Sequence, residues 1–219
     1  SPAIYSTADI TVSDATLTAT NSEAVVIEGG NSVTLYNANV TGNNATLNGQ
    51  STLSTNVLIY QSMSGDAQEG SSTFTMTGGS LTSETGTMFH VTNVTTKINL
   101  TGVELHYASE DDALMVLSKD SWGTDGKNGG NATVNMVSQN AEGDIEVDSV
   151  SSLSLNLTEE SSYTGAINGN GEGKAYVSIA SGSTWTLTGD SYIDSYEGDL
   201  SSINLNGYTL YIGKVAVNA

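Results

Sequence analysis

The segment Phe74–Val91, FTMTGGSLTSETGTMFHV, decides how the chain is interpreted, because similar segments recur along nearly its whole length. Phe74 and Met76 alternate with threonines, and the pair Gly78-Gly79 interrupts the run before it resumes. Such alternation places apolar side chains on one face of a β-strand and hydroxyl groups on the other. The segment therefore predicts short strands separated by tight turns.

Apolar-x-apolar triplets repeat this pattern, usually with Thr, Asn or Ser at the centre. They are Ile10–Val12, Val33–Leu35, Phe74–Met76, Ile98–Leu100, Val134–Met136, Leu153–Leu155, Val177–Ile179 and Ile203–Leu205. A further short strand is predicted in the first part of the chain at Val25–Ile27, Val57–Ile59, Phe89–Val91, Leu114–Val116 and Ile145–Val147. Equivalent triplets are mostly about 20 to 26 residues apart, which is typical of stacked repeat folds.

The spacing predicts an all-β fold, a single-stranded right-handed parallel β-helix in which the chain winds through three sheets. Leucine-rich repeats fit poorly because no helical period is present, and propeller blades need antiparallel units of about 40 residues. Two wider gaps interrupt the spacing. We interpret Ser64–Ser71 as an extra turn of the helix and Ser118–Gly130 as a loop insertion. No linker is evident, so residues 1–219 are expected to form one domain.

The charge of the chain excludes several classes of partner. The formal net charge is −19, although only 13% of the residues are charged, because the chain has few bases and no arginine. A surface of this sign repels phosphate backbones and anionic lipid, so nucleic acid is not an expected partner. Cationic partners, metal ions and neutral glycans remain open.

Processing and targeting signals give little information. Cysteine is absent, which excludes a disulfide framework and a thiolate metal site. There is no run of 18 apolar residues, so membrane insertion is not expected. The opening Ser1–Ile4 is interpreted as the start of a fragment excised from a longer protein. The open ends of a β-helix are templates for further strands, so end-to-end self-association is an expected form of contact.

Several phrases resemble a known group of proteins. SPAIYSTADITVSDAT, AVVIEGGNSVTLYNANVTG, GSTWTLTGDSYI and INLNGYTLYI are similar to β-helix repeats of adhesin-like secreted or cell-surface proteins of anaerobic gut bacteria. More distantly, the pattern is similar to the pectin-lyase-like superfold. The resemblance implies a β-helix that is secreted or displayed on a cell surface, and it supplies no catalytic residues.

Catalytic and histidine signals are weak. Inverting glycoside hydrolases need a carboxylate pair, and only Asp111-Asp112 matches a polygalacturonase-type motif, while lyases of this superfold use an arginine that the chain lacks. We therefore expect no enzyme, with a divergent polysaccharide lyase or glycoside hydrolase as an alternative. His90 and His106 are both expected on the surface, and their spacing does not form a metal pair.

Acidic residues form a more informative pattern. Asp144, Glu146 and Asp148 alternate with apolar residues and are expected to share one outer face, with Asp111 and Asp112 of the preceding repeat nearby. Carboxylates at this spacing could hold calcium. The alternative is a solvated acidic face that keeps the protein soluble.

Aromatic residues suggest contacts with sugars. Trp122 lies in the insertion with Asp120 and Asp125, and Tyr107 could project from a corner. Exposed rings stack on sugars while nearby carboxylates accept hydrogen bonds from hydroxyls. The alternative is that Trp122 folds back onto the flank of the repeat.

The sequence thus favours a non-catalytic cell-surface module that acts as an adhesin or stalk. Its partner would be a host or microbial surface glycan or protein. A calcium-assisted carbohydrate-binding module is the first alternative.

Overall fold

The structure is a computed structural model that describes residues 1–47 and 49–217. The described residues form an all-β fold with one short 3-10 helix, Leu200–Ser202, and no α-helix. In chain order the strands are β1 (Ile4–Ser6), β2 (Ile10–Ser13), β3 (Thr16–Ala19), β4 (Val25–Glu28), β5 (Ser32–Gly42), β6 (Thr55–Tyr60), β7 (Ser72–Ser83), β8 (Thr87–Thr92), β9 (Val94–Thr101), β10 (Glu104–Tyr107), β11 (Met115–Leu117), β12 (Gly130–Val137), β13 (Asn140–Glu142), β14 (Ile145–Val147), β15 (Ser152–Thr158), β16 (Ser162–Thr164), β17 (Lys174–Ile179), β18 (Thr184–Thr186), β19 (Ser191–Ile193), β20 (Ser195–Glu197), β21 (Ile203–Asn204), β22 (Leu210–Ile212) and β23 (Val215–Ala216).

These strands assemble into four sheets, and apart from the pair β22-β23 each strand pairs in parallel with strands of neighbouring repeats. The long sheet has the order β2-β5-β7-β9-β12-β15-β17-β20, with β3 beside β5 and β10 beside β7. The six-stranded sheet has the order β1-β4-β6-β8-β11-β14, and the two smaller sheets are β13-β16-β18-β21 and β19-β22-β23. Among the described strands, only β22 and β23 pair in the antiparallel sense.

The register of the long sheet places side chains of the same kind directly above one another. One inward column runs through Ile10, Val33, Phe74, Ile98, Val134, Leu155, Val177 and Tyr196. On the opposite face, the neighbouring outward column contains Thr75, Asn99, Asn135 and Asn156. Each asparagine of this column donates its amide hydrogen to the preceding member, at 2.8 to 3.0 Å. Polar side chains therefore add a second ladder beside the backbone hydrogen bonds.

The core follows from this stacking. Most buried apolar side chains form one contiguous cluster that extends from Ile4 to Leu210 and includes the large rings of Phe74, Phe89 and Trp185, while Val26, Leu58 and Tyr60 form a small second cluster. Strands β9, β12 and β15 show strict alternation of buried and more exposed positions. Thin layers of aliphatic and aromatic side chains between the sheets thus replace one bulky central core.

Corners at the end of the long sheet need a left-handed backbone. In six repeats the residue that follows the strand segment there has a positive φ of 47° to 63°, at Asp14, Asn37, Gly78, Gly102, Ser138 and Glu159. Glycine and asparagine adopt this conformation at little cost, as the sequence predicted. The same geometry imposed on serine and glutamate shows that the sheet register determines the corner, not the residue type.

Two sequence alignments are wrong. Ile203–Leu205 does not continue the long sheet, because β21 pairs with Trp185-Thr186 of β18, and Tyr196 of β20 takes the place above Val177. Leu153–Leu155 is two residues out of register, because Leu155 stacks on Val134 and Leu153 stacks on Ala132. An unbroken alternation of leucines fits either register equally well, so only the pairing itself distinguishes them.

The two wide gaps differ in origin. Ser64–Ser71 is not an extra turn, because β5 and β7 pair directly and residues 61–71 contain no strand. The prediction of a loop insertion at Ser118–Gly130 is confirmed, because no strand lies between Leu117 and Gly130. All five additional short strands belong to the six-stranded sheet, as β4, β6, β8, β11 and β14.

The pair Gly78-Gly79 offers a matched test of how closely the repeats approach. Both residues have positive φ, but a Cβ on Gly78 would meet no atom within 4 Å, whereas one on Gly79 would lie 2.0 Å from the Ala38 carbonyl oxygen. We expect Gly78→Ala to lower the free energy of unfolding by about 1 to 2 kcal/mol. Gly79→Ala should lower it by about 3 kcal/mol or more, because backbone must move.

Urea denaturation of both variants measures this difference. Equal losses for Gly78→Ala and Gly79→Ala would contradict the close approach of β5 and β7.

Candidate functional site

An open groove of about 600 Å³ lies beside β10. Its walls come from the segment that follows β10, from the turn between β13 and β14, and from threonines of later repeats. It brings together four of the predicted site residues, Tyr107, Asp111, Asp112 and Asp144, with Glu110 and Glu142 beside them. Asp111 and Asp112 thus border the same groove as Asp144, whereas Glu146 and Asp148 of the predicted set do not line it.

The acidic wall is shaped by local hydrogen bonds. The Ser109 backbone N–H donates to the Asp112 carboxylate at 3.1 Å, and the Asp111 N–H donates to the Ser109 hydroxyl at 3.2 Å. Short polar side chains favour such turns because they bond to the backbone two or three residues away. Leu114 then returns to the core and fixes the end of the turn. The turn holds Glu110 and Asp111 exposed at the mouth of the groove.

Tyr107 forms an aromatic part of the wall. Its ring packs against the core, and its hydroxyl donates to the Glu142 carbonyl oxygen at 2.8 Å. Burial, with a smaller contribution from the Glu142 carboxylate, raises the pKa of Tyr107 well above its usual range. The phenol therefore stays neutral and acts as a fixed hydrogen-bond donor.

The alternating carboxylates of β14 separate into different roles. Asp144 faces the groove and accepts hydrogen bonds from the Ala166 N–H at 2.8 Å and the Thr188 hydroxyl at 3.0 Å. Asp148 lies at the other end of the strand, where it accepts from the Lys119 N–H at 2.8 Å and the Ser151 hydroxyl at 2.6 Å. Glu146 is exposed between them. Only Asp144 of the three lines the groove.

This separation bears on the predicted calcium site. Within residues 1–47 and 49–217, no three His, Cys, Asp or Glu side chains come together in a way that could hold a metal ion. Calcium binding by Asp144, Glu146 and Asp148 with Asp111 and Asp112 therefore stays a prediction. It would require some of these carboxylates to reorient.

Trp122 folds back onto the outer face of the six-stranded sheet, which was the alternative to a sugar contact. Its ring lies 4.6 Å from that of Tyr60, at an interplanar angle of 55°, and it packs on Val26 and Leu58. Asn128 holds the insertion by donating to the carbonyl oxygens of Asp120 and Trp122. The indole remains half-buried, so one part of it stays accessible.

The two aspartates of the insertion have different environments. The Asp120 side chain is only 1% exposed, and it accepts hydrogen bonds from the Thr52 hydroxyl at 2.9 Å and from the Ser121 N–H at 2.7 Å. Asp125 is exposed and pairs with Lys119 at 3.0 Å. Asp120 therefore joins the insertion to the loop between β5 and β6, and its carboxylate is not available to a sugar in this arrangement. Asp125 remains accessible.

The prediction that His90 lies on the surface is wrong, whereas His106 is exposed as predicted. His90 does point outward from β8, but the insertion covers it and leaves it 1% exposed. Its Nε2 lies 3.1 Å from the Ser118 hydroxyl, and its Nδ1 lies 4.0 Å from the Asp120 carboxylate. The alternation in β8 predicts correctly that the side chain points outward. It does not show that the insertion folds over this ring, and this is why exposure was expected.

Other buried polar residues were missed in the same region. Glu23 and Glu28 are 3% and 1% exposed and lie outside the main core. A signal for this covered face was present, because Val25-Val26-Ile27 and Val57-Leu58-Ile59 are apolar at three consecutive positions. Such runs are typical of strands that are buried on both faces.

Comparisons with known proteins give no match, neither among family models nor among curated proteins nor among solved structures. In the part of the chain that the structure describes, no helix has the length and hydrophobicity needed to cross a membrane.

The buried His90 predicts a pH dependence of stability. Burial lowers the pKa of His90 to about 4, although Asp120 and Asp148 act in the opposite direction. Between this value and the usual 6.5, the unfolded chain binds a proton that the folded chain does not, so stability falls as the pH decreases. When the pH is lowered from 7 to 5, we expect the free energy of unfolding of the wild type to fall by about 2 kcal/mol more than that of His90→Gln.

Urea denaturation at both pH values tests this expectation. His106→Gln, at the exposed histidine, is the matched control and should behave like the wild type. If His90→Gln and the wild type lose the same free energy, the imidazole is not buried in its neutral form.

Proposed function

We propose that the chain is one domain, a right-handed parallel β-helix with pectin-lyase-like winding. In this proposal the four sheets form three faces, because Ile167 bridges to Ile145 of β14 and accepts a hydrogen bond from the Tyr192 N–H of β19, which joins the six-stranded sheet to the sheet β19-β22-β23. The observation that supports this is the pairing order of the long sheet, where β2, β5, β7, β9, β12, β15, β17 and β20 follow one another without a break. A chain that advances by one strand spacing in each repeat winds about an axis. Crossover connections between parallel strands are right-handed in nearly all proteins.

We further propose that this β-helix is a non-catalytic stalk or adhesive module of a secreted or cell-surface protein. Stacked repeats resist bending because each one is hydrogen-bonded to its neighbours along several strands. The ladder of Asn99, Asn135 and Asn156 adds side-chain bonds in the same direction. The net charge of −19 discourages lateral aggregation of such rods. The resemblance to adhesin-like repeats favours a host or microbial surface glycan or protein as the partner.

A polysaccharide panel tests the non-catalytic character. The purified chain is incubated with neutral and acidic glycans, and both retention in affinity gels and product formation are measured. We expect retention on some glycans without new reducing ends or unsaturated uronates, because the mechanism is attachment. Retention on none would favour the stalk over the adhesin. Release of products would contradict the proposal and favour the lyase or hydrolase alternative.

A second candidate function is calcium-assisted carbohydrate binding in the groove beside β10. The observation that favours it is the convergence of Tyr107 with Glu110, Asp111 and Asp144 around one open volume. Hard oxygen ligands of this type suit calcium, and the tyrosine ring could pack against a sugar bound by the same ion.

Thermal unfolding in EDTA and in millimolar calcium tests this candidate. Calcium at a hundred times its dissociation constant should add about 2.7 kcal/mol to the free energy of unfolding. The shift should disappear in the double variant Asp111→Asn, Asp144→Asn. It should persist in Asp125→Asn, which removes an exposed carboxylate outside the groove. Absence of any shift in the wild type would exclude calcium from the function.

A further inference from the structure

A second pocket, of about 500 Å³, opens on the outer face of the six-stranded sheet. Val26 and Leu58, which are register partners on β4 and β6, line it with aliphatic surface. The insertion after β11 contributes Trp122, and the loop after β5 contributes residues 49–51. The pocket therefore forms where two departures from the regular repeat meet over one sheet.

Three aromatic rings line this pocket. Tyr5 stands beside Val26 in the sheet, Tyr60 follows Leu58 by two residues, and Trp122 meets Tyr60 at a tilt of 55°. The Tyr5 and Tyr60 hydroxyl groups are 2.9 Å apart, which joins two of the rings at their edges. Tyr5 is 48% exposed, so the pocket can be reached from solvent.

Two buried carboxylates flank the rings. Glu23 lines the pocket and accepts hydrogen bonds from the Ser22 hydroxyl at 2.7 Å and from the Asn44 amide at 3.2 Å. Glu28 accepts hydrogen bonds from the hydroxyl groups of Tyr5 and Ser62. Every one of these donors is neutral, and neither glutamate takes part in an ion pair within the described residues.

This combination has a defined electrostatic preference. The face of an aromatic ring attracts a cation through its quadrupole, most strongly for tryptophan, and desolvation strengthens the attraction. Burial of an anionic side chain without a counterion is unfavourable. A cation in the pocket would therefore gain from the rings and compensate the charge of Glu23 at the same time. The net charge of −19 raises the local concentration of cations further.

We propose that the pocket of Tyr5, Tyr60, Trp122 and Glu23 binds an alkylated ammonium group, of the quaternary ammonium class. The aliphatic surface of Val26 and Leu58 suits the methyl groups of such a cation, which cannot donate hydrogen bonds. A small hydrated metal ion would find no comparable set of ligands here, since Glu23 supplies the only carboxylate among the described residues that line the pocket. The site is independent of the proposed β-helix function and of the groove beside β10.

Two probes of the same shape separate the contribution of charge to binding from that of size. Choline and its neutral carbon isostere 3,3-dimethylbutan-1-ol are titrated against the chain by calorimetry. Trp122 fluorescence provides a second readout, because Trp185 is fully buried in the core. We expect choline to bind at least tenfold more tightly than the isostere. Equal affinities, or binding of neither probe, would overturn the proposal.

Variants localise the binding. Trp122→Ala and Glu23→Gln should each weaken choline binding at least tenfold, while Tyr36→Ala, at an exposed tyrosine outside the pocket, should leave it unchanged. If thermal unfolding shows that Trp122→Ala does not fold, Tyr5→Leu is used in its place. If choline affinity is unchanged both in Glu23→Gln and in Trp122→Ala or Tyr5→Leu, choline binds elsewhere and the assignment is contradicted.

The ammonium group could belong to a free molecule or to a lipid head group. Sedimentation with phosphatidylcholine vesicles, compared with phosphatidylglycerol vesicles, distinguishes these sources. Cosedimentation with the former alone supports a displayed head group. Binding of choline without cosedimentation supports a free ligand.

Discussion

Parallel backbone pairing between successive repeats is the constraint on which the other features depend. It places Phe74 directly between Val33 and Ile98, so each apolar side chain is packed above and below by others of its kind. A slip of one residue would turn a whole inward column toward solvent. The burial of each strand therefore supports the register of its neighbours. The same constraint forces Ser138 and Glu159 into a left-handed backbone that they would not adopt in isolation.

Much of this pattern was predictable from residue types, because alternation and turn residues are local signals. The strand segments of the long sheet up to Val177 and all five segments of the six-stranded sheet follow from the apolar triplets. Register was less predictable, as the shift of Leu155 onto Val134 shows, because leucines spaced by two residues allow several pairings. The switch of Ile203 to another sheet has the same cause: a triplet encodes a strand but not its partner.

The candidate sites were harder to predict because they involve contacts across long stretches of sequence. The convergence of Asp111 and Asp144 could be predicted, since they belong to successive repeats. The cover over His90 could not, because it depends on how residues 118–129 fold and on the hydrogen bond between Thr52 and Asp120, 68 residues apart. The candidate sites lie where loops interrupt the repeat, whereas the outward side chains of the regular strands form a polar surface of similar residues.

The asparagine ladder on the long sheet has a practical consequence for producing the protein. Asn99 and Asn156 each begin an Asn-x-Thr triplet, the acceptor sequence for N-linked glycosylation in a eukaryotic secretory pathway. Their amide nitrogens point along the sheet and donate to the side chain of the preceding repeat at 3.0 and 2.9 Å. A sugar attached there would need the space that the outward side chain of the preceding repeat occupies, on a strand about 4.8 Å away. Glycan transfer to the unfolded chain would thus compete with folding, which makes a host without this modification the appropriate source.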